Sequence, residues 1–140
     1  AFEDMKKRVA DMGLSRNVKF HGVLTDRETL AKYYAGSDLF LFPSFYDNAP
    51  LVVREAAAMG TPSVLLKGST ASEVVSDGKN GFLVDKDPGD FGKLIASLSA
   101  DRDRIKRVAD GARTTLVRSW EDVVEEVSDR YESIIRKHSR

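Results

Sequence analysis

The chain has 140 residues, enough for one domain whose core buries roughly two-thirds of the unfolded surface. Its 22 lysines and arginines balance 22 aspartates and glutamates, so it lacks the bulk positive charge of a nucleic-acid binder. It has no cysteine and two histidines, which excludes a disulfide scaffold and a thiol nucleophile and argues against structural zinc.

Taken in chain order, the segment from Phe2 to Met12 predicts an amphipathic helix with Gly13 as its stop signal. It carries acids, unlike a signal peptide, and no apolar run in the chain nears the roughly 20 residues needed to cross a bilayer. The sequence starts without Met inside a helical pattern and reads as a piece of a longer protein. Asn17 to His21 predicts a short strand, followed by Gly22, and Asp26 to Ala35 a second helix capped by Thr25 or Asp26. Leu39 to Phe42 is an apolar run ending at Pro43, which predicts a strand buried on both faces. Pro50 to Met59 reads as a central helix, with proline in its first turn and Gly60 and Pro62 beyond its end.

Ser63 to Leu66 is a further apolar strand, and a short helix is expected from Ala71 to Ser76. Asp77-Gly78 and Asn80-Gly81 are turn signals before a small strand, Phe82 to Val84. Helices are expected over Asp90 to Leu98, over Arg102 to Val117, and from near Ser119 to about Lys137. In the last, Trp120, Val123, Val124, Val127, Tyr131, Ile134 and Ile135 fall at helical spacing and form one apolar stripe. Helices alternating with short buried strands predict an α/β fold, a Rossmann-like parallel sheet with helices on both faces.

The chemistry concentrates where strands give way to helices. Asp47 lies in the loop leaving one strand, and Glu55, after seven intervening residues, lies inside the helix that follows. A helix starting past a strand's carboxyl end offers unpaired N–H groups and a positive dipole end, so anionic ligands settle there. Glu55 shares a helical face with Leu51, Val52, Ala58 and Met59, where a carboxylate needs a partner. That partner is a ligand with paired hydroxyls or a basic side chain, unless the face is more exposed than it looks. Asp47, beside Asn48, either caps the helix or binds sugar hydroxyls. Lys67 to Glu73 forms a second strand-to-helix junction. There Gly68 permits close backbone approach, Lys67 can approach a phosphate, and Thr70 and Glu73 have capping-box spacing. His21 reads as an edge residue, and there is no GxGxxG, P-loop, HExxH or nucleophile elbow.

Four stretches, in this order, resemble the C-terminal domain of family 4 glycosyltransferases, retaining enzymes of the two-domain GT-B fold. They are NVKFHGVLTDRETLAKYYAGSDLFLFPS, the run from Asp47 to Pro62 with its paired acids, ASEVVSDGKNGFLVD and SWEDVVEEVSDRYESII. The resemblance implies that residues 1–140 are a single donor-binding domain truncated on its N-terminal side, a partial GT-B C-terminal domain. Glu55 matches the acid that holds the ribose of a nucleotide diphosphate sugar. Asp47 matches the acid beside the reacting sugar carbon, the catalytic position. Asn48, Ala49, Pro50 and Leu51 match the turn that cradles sugar and diphosphate, though Pro50 has no N–H to donate. Gly22, Lys67 and Gly68 complete the expected donor-binding set.

The implied activity is hexosyl transfer, with retention, from a UDP- or GDP-sugar to a polysaccharide, glycolipid or related acceptor. The donor is a substrate, and neither metal nor other cofactor is implied. The implied partners are the donor and a missing N-terminal acceptor domain, with no nucleic acid. The setting is cytoplasmic, with peripheral contact to the inner face of the membrane left open in the parent. Self-association through the terminal stripe is also open. Asp47 stands where the family has glutamate, a side chain longer by roughly 1.5 Å. Asn-Ala-Pro replaces a glycine-rich turn, and the family's diphosphate-binding arginine and lysine fall upstream of Ala1. The isolated chain is therefore expected to be inactive. The rival reading is a non-catalytic nucleotide-sugar-binding or scaffold module of the same fold.

Overall fold

The structure, a computed structural model, describes residues 2–46 and 51–138. Its helices are α1 (Phe2–Asp11), α2 (Arg27–Ala35), α3 (Leu51–Ala58), α4 (Pro88–Ala100), α5 (Arg102–Leu116) and α6 (Trp120–His138). Its strands are β1 (Phe40–Phe42), β2 (Ser63–Leu66) and β3 (Phe82–Val84), and a 3-10 helix spans Thr70–Val74. The chain divides into two compact units, one reaching to Leu30 and one from Ala31 onward.

In the first unit, α1 ends in a Schellman motif. Leu14 donates to the Val9 carbonyl at 3.0 Å and Gly13 to Ala10 at 2.9 Å, with Gly13 at φ 72°. The Phe2 and Phe20 rings meet edge to face at 5.7 Å. The strand expected over Asn17–His21 does not form. The Leu14 carbonyl takes the amides of Asn17 (2.8 Å) and Val18 (3.2 Å), which curls the segment into a turn, and no described strand offers it a ladder. Asp26 does cap α2, its carboxylate accepting from the Thr29 amide at 2.8 Å.

The second unit holds a three-stranded sheet in the order β1-β2-β3, parallel throughout, with Phe42 opposite Leu65 and Leu66 opposite Val84. β2 is central and wholly buried, and its alternating side chains divide the core into two layers. Leu65 packs with Val53 and Ala57 of α3, with Ala71 and Val75, and with Ala112 and Leu116 of α5. Val64 and Leu66 pack on the other face with Phe82, Val84, Leu98 of α4, and Ile105 and Val108 of α5. Helices therefore cover both faces, and α5 contributes to both layers. β1 departs from the expected two-sided burial. It ends the strand order, and Leu41 is exposed because the covering helices flank the sheet at β2 and β3.

α5 changes layers where it passes the Asp77–Gly81 turn. At Gly111 an added β-carbon would overlap the Lys79 carbonyl oxygen, so only glycine permits the approach. Asn80, buried in that turn, accepts from the Ser76 amide at 2.7 Å and donates to Thr115 of α5 at 2.9 Å. The short helix after β2 is 3-10, with Ser69 at its N-cap. Thr70 lies inside it, so the Thr70–Glu73 capping box is not formed. α4 begins at Pro88, two residues earlier than expected. Asp87 caps it by accepting from the Gly89 amide at 2.8 Å and the Asp90 amide at 3.1 Å.

Candidate functional site

Because the strands are parallel and in register, the segments following Phe42, Leu66 and Val84 all leave the same edge of the sheet. They are tied to one another there. Lys67 donates its amide to the Val84 carbonyl at 2.9 Å, and Thr70 donates to Phe45 at 3.3 Å. The Lys86 ammonium sits 5.4 Å from the centre of the Phe45 ring. A cleft of about 450 Å³ opens at this edge, between Pro43, Leu66, the Lys86–Pro88 segment, and Phe91 and Gly92 of α4. Apolar walls with a few polar groups at the carboxyl ends of parallel strands are the usual make-up of a ligand site in an open α/β sheet.

Of the described candidate residues, none lines this cleft. Asp47, Asn48, Ala49 and Pro50 lie outside the described residues. Leu51 opens α3, well exposed. α3 buries Val53, Ala56 and Ala57, while Leu51, Glu55 and Met59, four residues apart, face outward. The face expected to make Glu55 costly is thus the exposed one, and the carboxylate is open to solvent. Among the described residues none hydrogen-bonds or ion-pairs with it. Its charge still reaches Tyr34, where burial first and the Glu55 charge second push the phenol up. The preceding residue, Arg54, turns inward and donates to the Leu116 carbonyl at 2.8 Å, fastening α3 to the end of α5.

Lys67 is already engaged. Its ammonium meets the Asp85 carboxylate at 2.9 Å, and that hydrogen bond and charge raise its pKa. To reach a phosphate it must release Asp85. Gly68 adopts φ 72° in the tight turn after β2, and Gly22 adopts φ 68° within the first unit. Sequence reasoning passed over Lys86, Asp87 and Phe91. The signal was Asp87-Pro88, an acceptor side chain followed by the one residue that needs no N–H partner at a helix start. Among the described residues no cluster of histidines or carboxylates could hold a metal ion.

The family model described as "Glycosyl transferases group 1" matches residues 1–115. The chain belongs to this family. D-inositol 3-phosphate glycosyltransferase from Corynebacterium kroppenstedtii is 36% identical over 140 residues, which cover 97% of this chain and 30% of the relative. Among solved structures, sucrose-phosphate synthase from Thermosynechococcus elongatus superposes with a TM-score of 0.80 at 25% identity. It covers 96% of this chain and 34% of its own. HepE from Anabaena, solved with UDP and glucose, superposes at 0.77 with 24% identity, over 94% of this chain and 36% of its own. The chain therefore spans about a third of the length of these three proteins. The α/β sheet described above is a GT-B glycosyltransferase fold.

Proposed function

We propose that this chain is the C-terminal, donor-binding part of a family 4 retaining glycosyltransferase that uses a nucleotide diphosphate sugar. The observation that carries the reading is Glu55. It stands one turn into the helix that follows the β1 edge, exposed, ionisable and unpaired among the described residues. A carboxylate held on a rigid helix accepts two hydroxyl hydrogen bonds at once, which suits the vicinal diol of a ribose. The first turn of α3 adds orphan amides and the positive end of the helix dipole, which favour the diphosphate and stabilise it further as it leaves. Asp47 then takes the position beside the reacting carbon, where its negative charge favours an oxocarbenium-like state. Asn48, Ala49, Pro50 and Leu51 shape the cradle. The HepE structure with UDP and glucose supports the donor class, and the relatives' name makes a phosphorylated cyclitol an acceptor to assay.

The test is Glu55→Ala in the full-length parent, with UDP and GDP affinity read by calorimetry. A charge-assisted hydrogen bond contributes about 1.5–3 kcal/mol, so affinity should fall at least tenfold. The substituted side chain is exposed, so the fold should be untouched. Unchanged affinity would return the chain to a scaffold role. The isolated chain spans about a third of its relatives' length and should not turn over a nucleotide sugar on its own.

A further inference from the structure

The helix that carries Glu55, α3, is only 8 residues long. Its packing is built largely from small side chains. Ala57 and Ala112 of α5 share a layer with Val53 and Leu116, and Ala56 is fully buried beside them. Hydrophobic contact has no preferred direction, and alanines present no long side chains to interlock. Such a surface lets a short helix roll about its axis. A directional restraint comes from Arg54. This half-buried side chain donates to the Leu116 carbonyl at 2.8 Å, across 62 positions of sequence. Leu116 ends α5, so its carbonyl has no later helical amide to accept from. The guanidinium supplies that missing donor and sets its charge at the negative end of the α5 dipole. Just past the other end of α3, Gly60 turns at φ 81°, where a β-carbon would lie 3.2 Å from the Arg113 guanidinium of α5.

Arg54 and Glu55 are neighbours, so their directions from the α3 axis differ by about 100° and turn together. A roll of about 20° would carry a carboxylate at the helix rim, about 5–6 Å from the axis, by about 2 Å. Two hydroxyls cannot both keep their hydrogen bonds through such a displacement, since these bonds weaken steeply outside a narrow range of distance and angle. We propose that Arg54 is a positioning residue of the donor site, fixing the roll of α3 through the Leu116 carbonyl and so the place of the Glu55 carboxylate. This rests on the reading of Glu55 as the acid that holds the ribose. It adds that the end of α5, remote in sequence, helps to set donor affinity.

The test uses the full-length parent and the nucleotide, UDP or GDP, that it binds more tightly. Arg54→Met keeps much of the aliphatic stem and removes the donor. It should weaken nucleotide affinity about fivefold or more, read by calorimetry at a temperature where circular dichroism shows the fold intact. Arg54→Lys should stay within about twofold of the parent, because one nitrogen makes the bond to Leu116 and an ammonium can replace it. The decisive measurement is the double variant. Acting through Glu55, Arg54→Met should cost no further affinity when added to Glu55→Ala. A loss there as large as in Arg54→Met alone means that Arg54 acts independently of Glu55 and overturns the inference. So does unchanged affinity in Arg54→Met, or a loss in Arg54→Lys equal to that of the methionine variant. Unchanged affinity in Glu55→Ala removes the donor-site reading and this inference with it; a loss there but none in Arg54→Met removes this inference alone.

Discussion

Gly111 is a test of whether close approach or helix propensity governs the middle of α5. By propensity alone, Gly111→Ala should stabilise the helix by about 1 kcal/mol. The structure predicts the opposite sign. The new β-carbon would overlap the Lys79 carbonyl oxygen and lie 3.1 Å from its carbon, where about 3.5 Å is the comfortable limit. Relief needs a shift of the order of 1 Å in α5 or the turn. The turn resists, because Gly78 donates to Gly81 at 2.8 Å and Lys79 to Ser76 at 3.0 Å. The shift would also strain the Asn80–Thr115 bond, leaving a buried amide short of a partner at about 1–3 kcal/mol. Overpacking adds about 1–3 kcal/mol, so the net loss after the propensity gain is about 1–5 kcal/mol. For a chain of this size that is a fall in melting temperature of about 3–20 °C, measurable by calorimetry or thermal circular dichroism. Gly92→Ala, mid-helix in α4 with nothing within 4 Å of the new carbon, is the control and should stabilise by about 0.5–1 kcal/mol. If Gly111→Ala matches Gly92→Ala in sign, the close crossing of α5 is wrong.

Asp87→Ala removes the acceptor for two amides at the start of α4 and should cost about 1 kcal/mol in urea unfolding; Asp87→Asn should restore most of it. Asp122 is lowered by its hydrogen bonds with Ser119, and Glu126 by its hydrogen bond with Arg118 and then by the Arg118 charge. Both folded pKa values lie below the unfolded ones, so this stabilisation is complete above the unfolded values and is lost as pH falls through the folded ones. Melting temperature should therefore stay level from pH 7 to 5 and drop below about pH 4. The drop should be smaller in Ser119→Ala, which removes the bond to Asp122.

Most of the second unit is legible in the sequence because its signals are local. Ser63–Leu66 and Phe82–Val84 are apolar runs closed by turn residues, and both are strands at the expected residues. Asp26 precedes its helix and caps it. The misreadings share a cause, which is that the decisive partner is not in the local pattern. Asn17–His21 looks extended, but a strand exists only with a ladder, and the Leu14 carbonyl takes the amides first. Leu39–Phe42 reads as a buried strand, yet burial on both faces belongs to β2, because position in the sheet decides it. Glu55 could be placed on its helix from spacing. Which face of that helix meets the core was settled by Ala56 and Ala57, whose small side chains let α3 lie close to the sheet. The cleft at Lys86, Asp87 and Phe91 joins three segments distant in sequence, and no window of residues contains it.

α5 gives the second unit an unusual thermodynamic unity. Its first half belongs to one hydrophobic layer and its second half to the other, with the sheet between them. Neither layer can melt while the helix stays intact, so the two should unravel in one cooperative step and not in sequence. The amides of α5 should then exchange their hydrogens only through global opening, and a lesion in either layer should loosen protection in both.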